Sequence, residues 1–324
     1  MLVVGNGGTI GWRGATEGLS DALRAAGVQV RTVGTAATPE VRTFMLTDLV
    51  QARAARAAAT RAIAEHDPGA IIYCSITSAL LWPRPGAIWL DSIAAENRPG
   101  RHGIWQRVVE RRRLVQAPLI LAMAETSLDP LNGRRHADSV VVPVAVDASG
   151  PDVGARDVDV LAYTANPVKR RLEFILAAWR WARRGQETLV VAGIDRPDDP
   201  GAGVRYVGRL APDEYRGLQR RARVYVAAPL REDFGIAPLE ALADGCMLVT
   251  TPSPGPYPAL GLARRLDPRL VSEDLAPALR AALDEPLTDY GSRAHALLAP
   301  FSRDAVRETL AKRVLPRLMP GWGA

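Results

Sequence analysis

Two glutamates eight residues apart, Glu232 and Glu240, stand on either side of a glycine in EDFGIAPLEALADG, residues 232–245. The run before them, ARVYVAAPL, reads as a strand, so the order is strand, acidic loop, Gly235, then a helix with Pro238 in its first turn. Proline suits a first turn, where an amide has no partner inside the helix. The free amides and the positive dipole end there form an anion site. A carboxylate on each side can take charge-assisted hydrogen bonds from vicinal hydroxyls. An anion flanked by diols describes a nucleotide sugar. Against this stands the ordinary fate of a single glutamate, which is to be a solvated charge.

Four other sets of residues carry chemistry of their own. Lys169, Arg170 and Arg171 follow the strand-like LAYTANPVKRR and set cations at a strand end; a solvated helix start is the plain alternative. The opening strand runs into GNGGTIGWRG, where Gly7 and Gly8 permit close backbone approach to a ligand, or simply a tight turn. That loop is no dinucleotide fingerprint, because Ile10 sits where the third glycine would fall and VQVRTVGTAAT ends without a ribose-binding acid. Asp91 closes IWLDS, with a helix cap as its alternative role, and His102 lies in the loop RPGRHG. Asp157-Val158-Asp159 has the form of a metal-binding DXD motif, but the acids precede a strand instead of ending one. No structural or catalytic metal and no cofactor are expected.

These residues need a frame of two α/β units. The chain has 324 residues, enough for two domains of about 150 each. Strands are expected at Leu2–Val4, Val28–Val33, Ala70–Cys74, Ala87–Leu90, Leu119–Ala122 and Ser139–Val142. A second series runs Val158–Tyr163, Thr188–Ala192, Arg205–Val207, Val224–Ala227 and Met247–Thr250. Helix-patterned stretches lie between them, at 14–26, 49–65, 105–116, 171–184, 212–221 and 236–243. Such alternation argues for doubly wound parallel sheets covered on both faces. VPVAVDASGPDVGARDVD, rich in Pro, Gly and Asp, reads as the linker. The division expected is 1–147, 148–300 and a terminal amphipathic segment, 301–324. Two Rossmann-like domains built this way bind ligands in a cleft at the carboxyl ends of their strands.

Bulk composition excludes several classes. No run of 18 uncharged apolar residues appears, the N-terminus lacks a signal-peptide pattern, and the two cysteines have no metal-ligand spacing. A cytoplasmic location is the expectation. Net charge is +6 and arginine greatly outnumbers lysine, which favours anionic partners. The arginines are spread over several helices and no nucleic-acid-binding motif is visible, so nucleic acid is not an expected partner. Arg107, Arg111, Arg112 and Arg113 beside Trp105 form a basic helix that offers peripheral membrane contact, with plain solvation as the simpler account.

The 232–245 stretch resembles the E-x7-E signature of the retaining GT-B glycosyltransferases of family four. Glu232, Phe234, Gly235, Glu240, Ala241, Ala243 and Gly245 match in order, while Asp233 replaces the usual glycine. The resemblance is strongest over residues 204–250 and weaker, though order-preserving, over the first domain. It implies a GT-B fold and transfer of a hexose-type sugar, with retention, from a nucleoside-diphosphate sugar to a hydroxyl acceptor. It implies that Glu240 accepts from the ribose hydroxyls and that Glu232 holds donor-sugar hydroxyls, with the amides of Phe234, Gly235 and Ile236 nearby. Lys169 would steady the departing diphosphate, Gly7 and Gly8 would line the acceptor side near the donor, and Asp91 would stand near the acceptor. The chain departs from the pattern in having Tyr163 or Thr164 where an arginine is usual, with Arg170 or Arg209 as substitutes. It departs again after the motif, where TTPSPGPYPALG replaces a glycine pair and an acid. These departures keep alive a nucleotide-sugar-binding protein without transfer, and an epimerase on the same fold is a further alternative. A nicotinamide oxidoreductase is opposed by the missing ribose acid.

Overall fold

A computed structural model of the chain describes residues 1–5, 10–35, 43–98, 100–151 and 153–322. The chain forms two compact units, Met1–Ala145 with Phe301–Ala324, and Val146–Pro300.

The first unit holds six parallel strands: β1 (Leu2–Gly5), β2 (Arg31–Val33), β3 (Ile71–Cys74), β4 (Ala87–Leu90), β5 (Ile120–Ala122) and β6 (Ser139–Val141), in the order β2-β1-β3-β4-β5-β6. β1, β3, β4 and β5 are buried along their whole length, which is why each is a short unbroken apolar run. Leu2, Val4, Ile71, Tyr73, Ile88, Leu90 and Ile120 join one core with Ala55, Ala59 and Ala62 of the helix Phe44–His66. Ala52, Ala55 and Ala59 of the alanine-rich run thus lie on the buried face of that helix. Thr43 caps its start by accepting from the Leu46 amide. The terminal segment, Arg303–Thr309 and the turns that follow it, packs on the helix Ile10–Ala25.

The second unit holds β7 (Val158–Tyr163), β8 (Leu189–Ala192), β9 (Val204–Tyr206), β10 (Ala222–Ala227) and β11 (Met247–Thr250). They form one parallel sheet in the order β11-β10-β7-β8-β9. The chain winds outward from β7 through β8 to β9, then crosses back to β10 and β11. The reversal therefore falls between β7 and β10, and a sheet of this kind offers its ligand crevice at that point, beyond the carboxyl ends.

Several expected boundaries shift. The ladder of β2 starts at Arg31, not Val28, because Gly27 at φ 92° and the Val28 amide, bonded to Leu23, close the preceding helix. The helix expected at 171–184 is Leu172–Ala182, since Arg171 lies in the left-handed region at φ 52°, its guanidinium 4.0 Å from the Phe174 ring centre. Much of the presumed linker is structured: Val146 is buried, and Ser149 and Arg156 bond into the second unit.

Candidate functional site

The residues with the strongest chemical case meet at the β7–β10 reversal of the second unit. After β7 the chain turns at Asn166, whose side chain accepts from the Lys169 amide at 2.9 Å. The Lys169 carbonyl in turn accepts from the Leu230 amide at 2.9 Å, joining the loop after β7 to the loop after β10. The Lys169 side chain is exposed. Arg170 is the cation that reaches inward: its guanidinium pairs with the Glu232 carboxylate. Burial pushes the Glu232 carboxyl above its ordinary range, and Arg170 restrains that rise by its charge and hydrogen bond.

The backbone around Glu232 has little freedom. Its amide donates to the Pro254 carbonyl at 3.0 Å. A Cβ on Gly255 would stand 2.1 Å from the Glu232 carbonyl oxygen, so no side chain fits there. Gly235 has φ 79°, and a Cβ on it would come within 2.8 Å of the Tyr257 ring and 3.1 Å of Glu232 Cγ. Tyr257 is buried beneath the loop, its hydroxyl 3.0 Å from Thr250 Oγ1. The proline-rich tail that departs from the family pattern is therefore the floor on which the acidic loop rests. Phe234 is buried and Asp233 pairs with Arg231 at 2.8 Å.

The helix is Ile236–Ala243, with Pro238 in its first turn. At its start the amides of Ile236 and Ala237 lack helical partners by construction. Glu240 is the fifth residue, on the second turn, and is half-buried. Its carboxylate faces Arg216 at 3.4 Å. Burial pushes the Glu240 carboxyl up, and the Arg216 charge opposes this. Arg216, on the helix Pro212–Arg221, also donates to Asp244 Oδ2 at 2.8 Å and to the Asp147 carbonyl at 2.8 Å. Asp244 is fully buried and accepts from both the amide and the hydroxyl of Ser149.

Tyr225 of β10, buried, experiences the charges of Arg170, Glu240 and Glu232 and lies hydroxyl to hydroxyl with Tyr215 at 3.4 Å. Glu232 and Glu240 are thus two half-buried carboxylates, each faced by its own arginine, not the solvated charges of the plain alternative.

The remaining candidates are placed as follows. Arg209 is exposed beyond β9, two strands from β7. Asp91 is half-buried after β4 and accepts from the Ser92 amide at 2.8 Å; it caps no helix, since the next one starts at Ala94 behind Ile93. Gly7 and Gly8 lie outside the described residues, as does the side chain of His102. Asp157 pairs with Arg221, while Asp159 accepts from the Thr188 amide at 3.0 Å and from Arg223 at 3.2 Å. Both acids of the DXD form are engaged by neighbours, and no cluster of three metal-ligating side chains occurs among the described residues. On the basic helix, now Ile104–Gln116, Arg107 donates to the carbonyls of Arg98 and Gly100, and Arg113 to that of Leu80. No helix among the described residues is long and apolar enough to cross a membrane.

Comparison with known structures identifies the fold as GT-B. Sucrose-phosphate synthase from Thermosynechococcus elongatus superposes with TM-score 0.66 at 15% identity, covering 95% of this chain and 96% of that one. An α,α-trehalose-phosphate synthase (UDP-forming) from Burkholderia xenovorans, in complex with glucose-6-phosphate, gives TM-score 0.66 at 13% identity over 95% and 98%. WaaG, a glycosyltransferase involved in lipopolysaccharide biosynthesis, gives 0.64 at 14% over 97% and 95%. Residues 158–289 match the family model described as glycosyl transferases group 1. The match lies within the second unit, and together with the GT-B fold it supports glycosyl transfer as the function. No curated protein matches the chain by sequence.

Sequence reasoning missed Arg216, Asp244, Tyr215 and Tyr225. Asp244 stood inside the quoted motif at an unspecified position, and Tyr225 inside the quoted strand. Arg216 is one of three arginines on an amphipathic helix, and nothing in its spacing marks it as the inward one.

Proposed function

We propose that this chain is a retaining, E-x7-E-type glycosyltransferase that moves a hexose-type sugar from a nucleoside-diphosphate sugar to a hydroxyl acceptor. The observation that carries this is a pair of half-buried carboxylates, Glu232 faced by Arg170 and Glu240 faced by Arg216, in the loop and helix that follow β10 at the sheet reversal, inside the stretch that matches the group 1 model. Glu240 accepts the ribose hydroxyls and Glu232 the hydroxyls of the donor sugar, both as charge-assisted bonds. The amides at the start of Ile236–Ala243, with those of Phe234 and Gly235, face donor oxygens.

Arg170 and Lys169 share the diphosphate. Arg170 pairs with Glu232; a bound diphosphate would draw the guanidinium onto itself and leave the carboxylate to the sugar. In the transfer the acceptor oxygen bonds to the anomeric carbon as the bond from that carbon to the phosphate oxygen breaks. The acceptor proton passes to the departing phosphate on the same face. Stabilising the developing diphosphate charge is the main electrostatic task, and fixed cations with helix amides perform it without requiring a metal ion. Asp91, Gly7 and Gly8 belong to the acceptor side in this scheme. A cytosolic enzyme with peripheral membrane contact through Ile104–Gln116 fits the charge of the chain, although two arginines of that helix already serve its own unit.

The test is a thermal-shift screen of UDP-, GDP-, ADP- and TDP-sugars on wild type and Glu240→Ala. A ligand bound to the folded state raises the melting temperature. One donor should shift the wild type and fail to shift the variant; an equal shift in both removes Glu240 from the site. Thr164, buried where an arginine is usual, favours a second account, donor binding without transfer. Consumption of the bound donor in the presence of acceptor extracts separates the two, and product analysis without acceptor detects epimerisation.

A further inference from the structure

Arg216 lies outside every motif of the sequence, yet it is the group through which Glu240 is attached to the rest of its unit. One guanidinium spans three acceptors on two segments: Glu240 at 3.4 Å and Asp244 at 2.8 Å, one turn apart on and just beyond the same helix, and the carbonyl of Asp147 at 2.8 Å near the start of the unit. Asp244 is itself fixed by the amide and hydroxyl of Ser149, at 2.7 and 3.0 Å. Arg216 is 17% exposed and the Asp244 side chain 0%, so this arrangement sits in poor solvent, where a planar fork holds its partners far more rigidly than on a surface. The Glu240 carboxylate, 24% exposed, is the open end of the array.

We propose that Arg216 is a positioning residue for the donor: it fixes the rotamer of Glu240, so that the oxygens which take the ribose hydroxyls are aimed at them. This rests on the role of Glu240 given above. A neutral carboxyl would lose one acceptor and much of the strength of its bonds to hydroxyls. The groups whose charges reach Glu240 are Arg216 and Tyr215 from Pro212–Arg221, Tyr225 from β10, and Asp244 beyond its own helix. Arg216 is the one cation among them. Burial pushes the Glu240 carboxyl up, the guanidinium opposes this, and Asp244 adds to the rise.

The experiment is a double-mutant cycle on donor affinity, with Arg216→Lys and Arg216→Met each made in the wild-type and Glu240→Gln backgrounds. Lysine keeps a positive charge for buried Asp244 and protects folding, but it has no fork to hold two carboxylates. In the wild-type background, Arg216→Met should raise the donor KM about tenfold with kcat nearly unchanged, and Arg216→Lys should recover part of the loss. The acid limb of donor binding should move to higher pH in Arg216→Met. In the Glu240→Gln background neither substitution should weaken donor binding further. Should both weaken it equally in the two backgrounds, Arg216 acts independently of Glu240 and the proposal is overturned. An unchanged KM in folded Arg216→Lys and Arg216→Met overturns it as well. Failure of the underlying role looks different: Glu240→Gln alone would then leave donor binding intact.

Discussion

Each unit of the molecule buries a set of charged side chains, and the two sets are built to opposite ends. In the first unit, Asp48 receives a two-pronged bond from Arg98, at 2.7 and 3.0 Å, and a third from Gln106 at 3.1 Å. Nearby Glu110, 2% exposed, accepts from the Ala94 amide at 2.7 Å, and burial pushes its carboxyl up to about 7. These groups bind the helices Phe44–His66 and Ile104–Gln116 to the segment around Arg98, and the two carboxylates are almost closed to solvent, the Asp48 side chain being 4% exposed. In the second unit, Glu232 and Glu240 are also pushed up by burial, but their side chains remain 12% and 24% exposed. Glu232 lies in the loop after β10 and Glu240 on the helix that follows it, where the sheet reverses. A raised carboxyl is therefore no mark of function by itself; what separates the sets is an open side at the topological switch point.

The comparison can be broken most sharply at Glu232. Glu232→Gln should lower sugar transfer by about a hundredfold, the scale of removing one electrostatic contact made in the transition state, with the melting temperature little changed. Steady-state turnover and calorimetry on the same preparation check both halves. Asp48→Ala should do the reverse, costing about 3–5 kcal/mol of stability in denaturant titrations by stranding Arg98, while donor affinity in the folded protein stays as it was.

Glu110 separates the sets by pH. Its folded value lies above the ordinary 4.5, at about 7, so the folded state binds the extra proton between those limits. Its contribution to stability is complete below about 4.5 and lost as pH rises to about 7, a fall of about 3 kcal/mol. Glu110→Gln should flatten that limb and be more stable than wild type at pH about 8, as stability measured across the range would reveal. Donor binding should behave oppositely, weakening on the acid side as Glu232 and Glu240 take up protons. The smallest effect expected is that of Tyr257→Phe, which loses the Thr250 contact at a cost of about 1 kcal/mol and raises donor KM slightly.

Much of this was legible in the chain because the inner parallel strands are short, mostly apolar runs and most are separated by helices. β7, β11 and the helices Pro212–Arg221 and Ile236–Ala243 fall where their patterns put them. Three helices after β11, at Pro258–Leu266, Leu275–Asp284 and Tyr290–Leu298, stood in a stretch assigned no element. Two of them carry a proline within their first three residues, where it does not break a helix but reads as an interruption. The acidic pair was legible because its two residues lie within one short window. Arg216 and Arg170 were not assigned their partners, because a guanidinium finds its carboxylate through the fold: Arg170 and Glu232 are 62 positions apart. Only the sheet order brings them together. Lys169 and Arg170 are adjacent in sequence, and which of them turns inward is set by the turn at Asn166.

The contact between Gly255 and the Glu232 carbonyl has a practical corollary for anyone redesigning this chain. The backbone hydrogen bond from Glu232 to Pro254 and the absence of room for even a methyl group at position 255 make the segments after β10 and β11 interlocking parts. Neither can be exchanged alone for the equivalent segment of another enzyme without colliding with the one left behind. Transplants intended to alter selectivity here must carry both segments across in a single step.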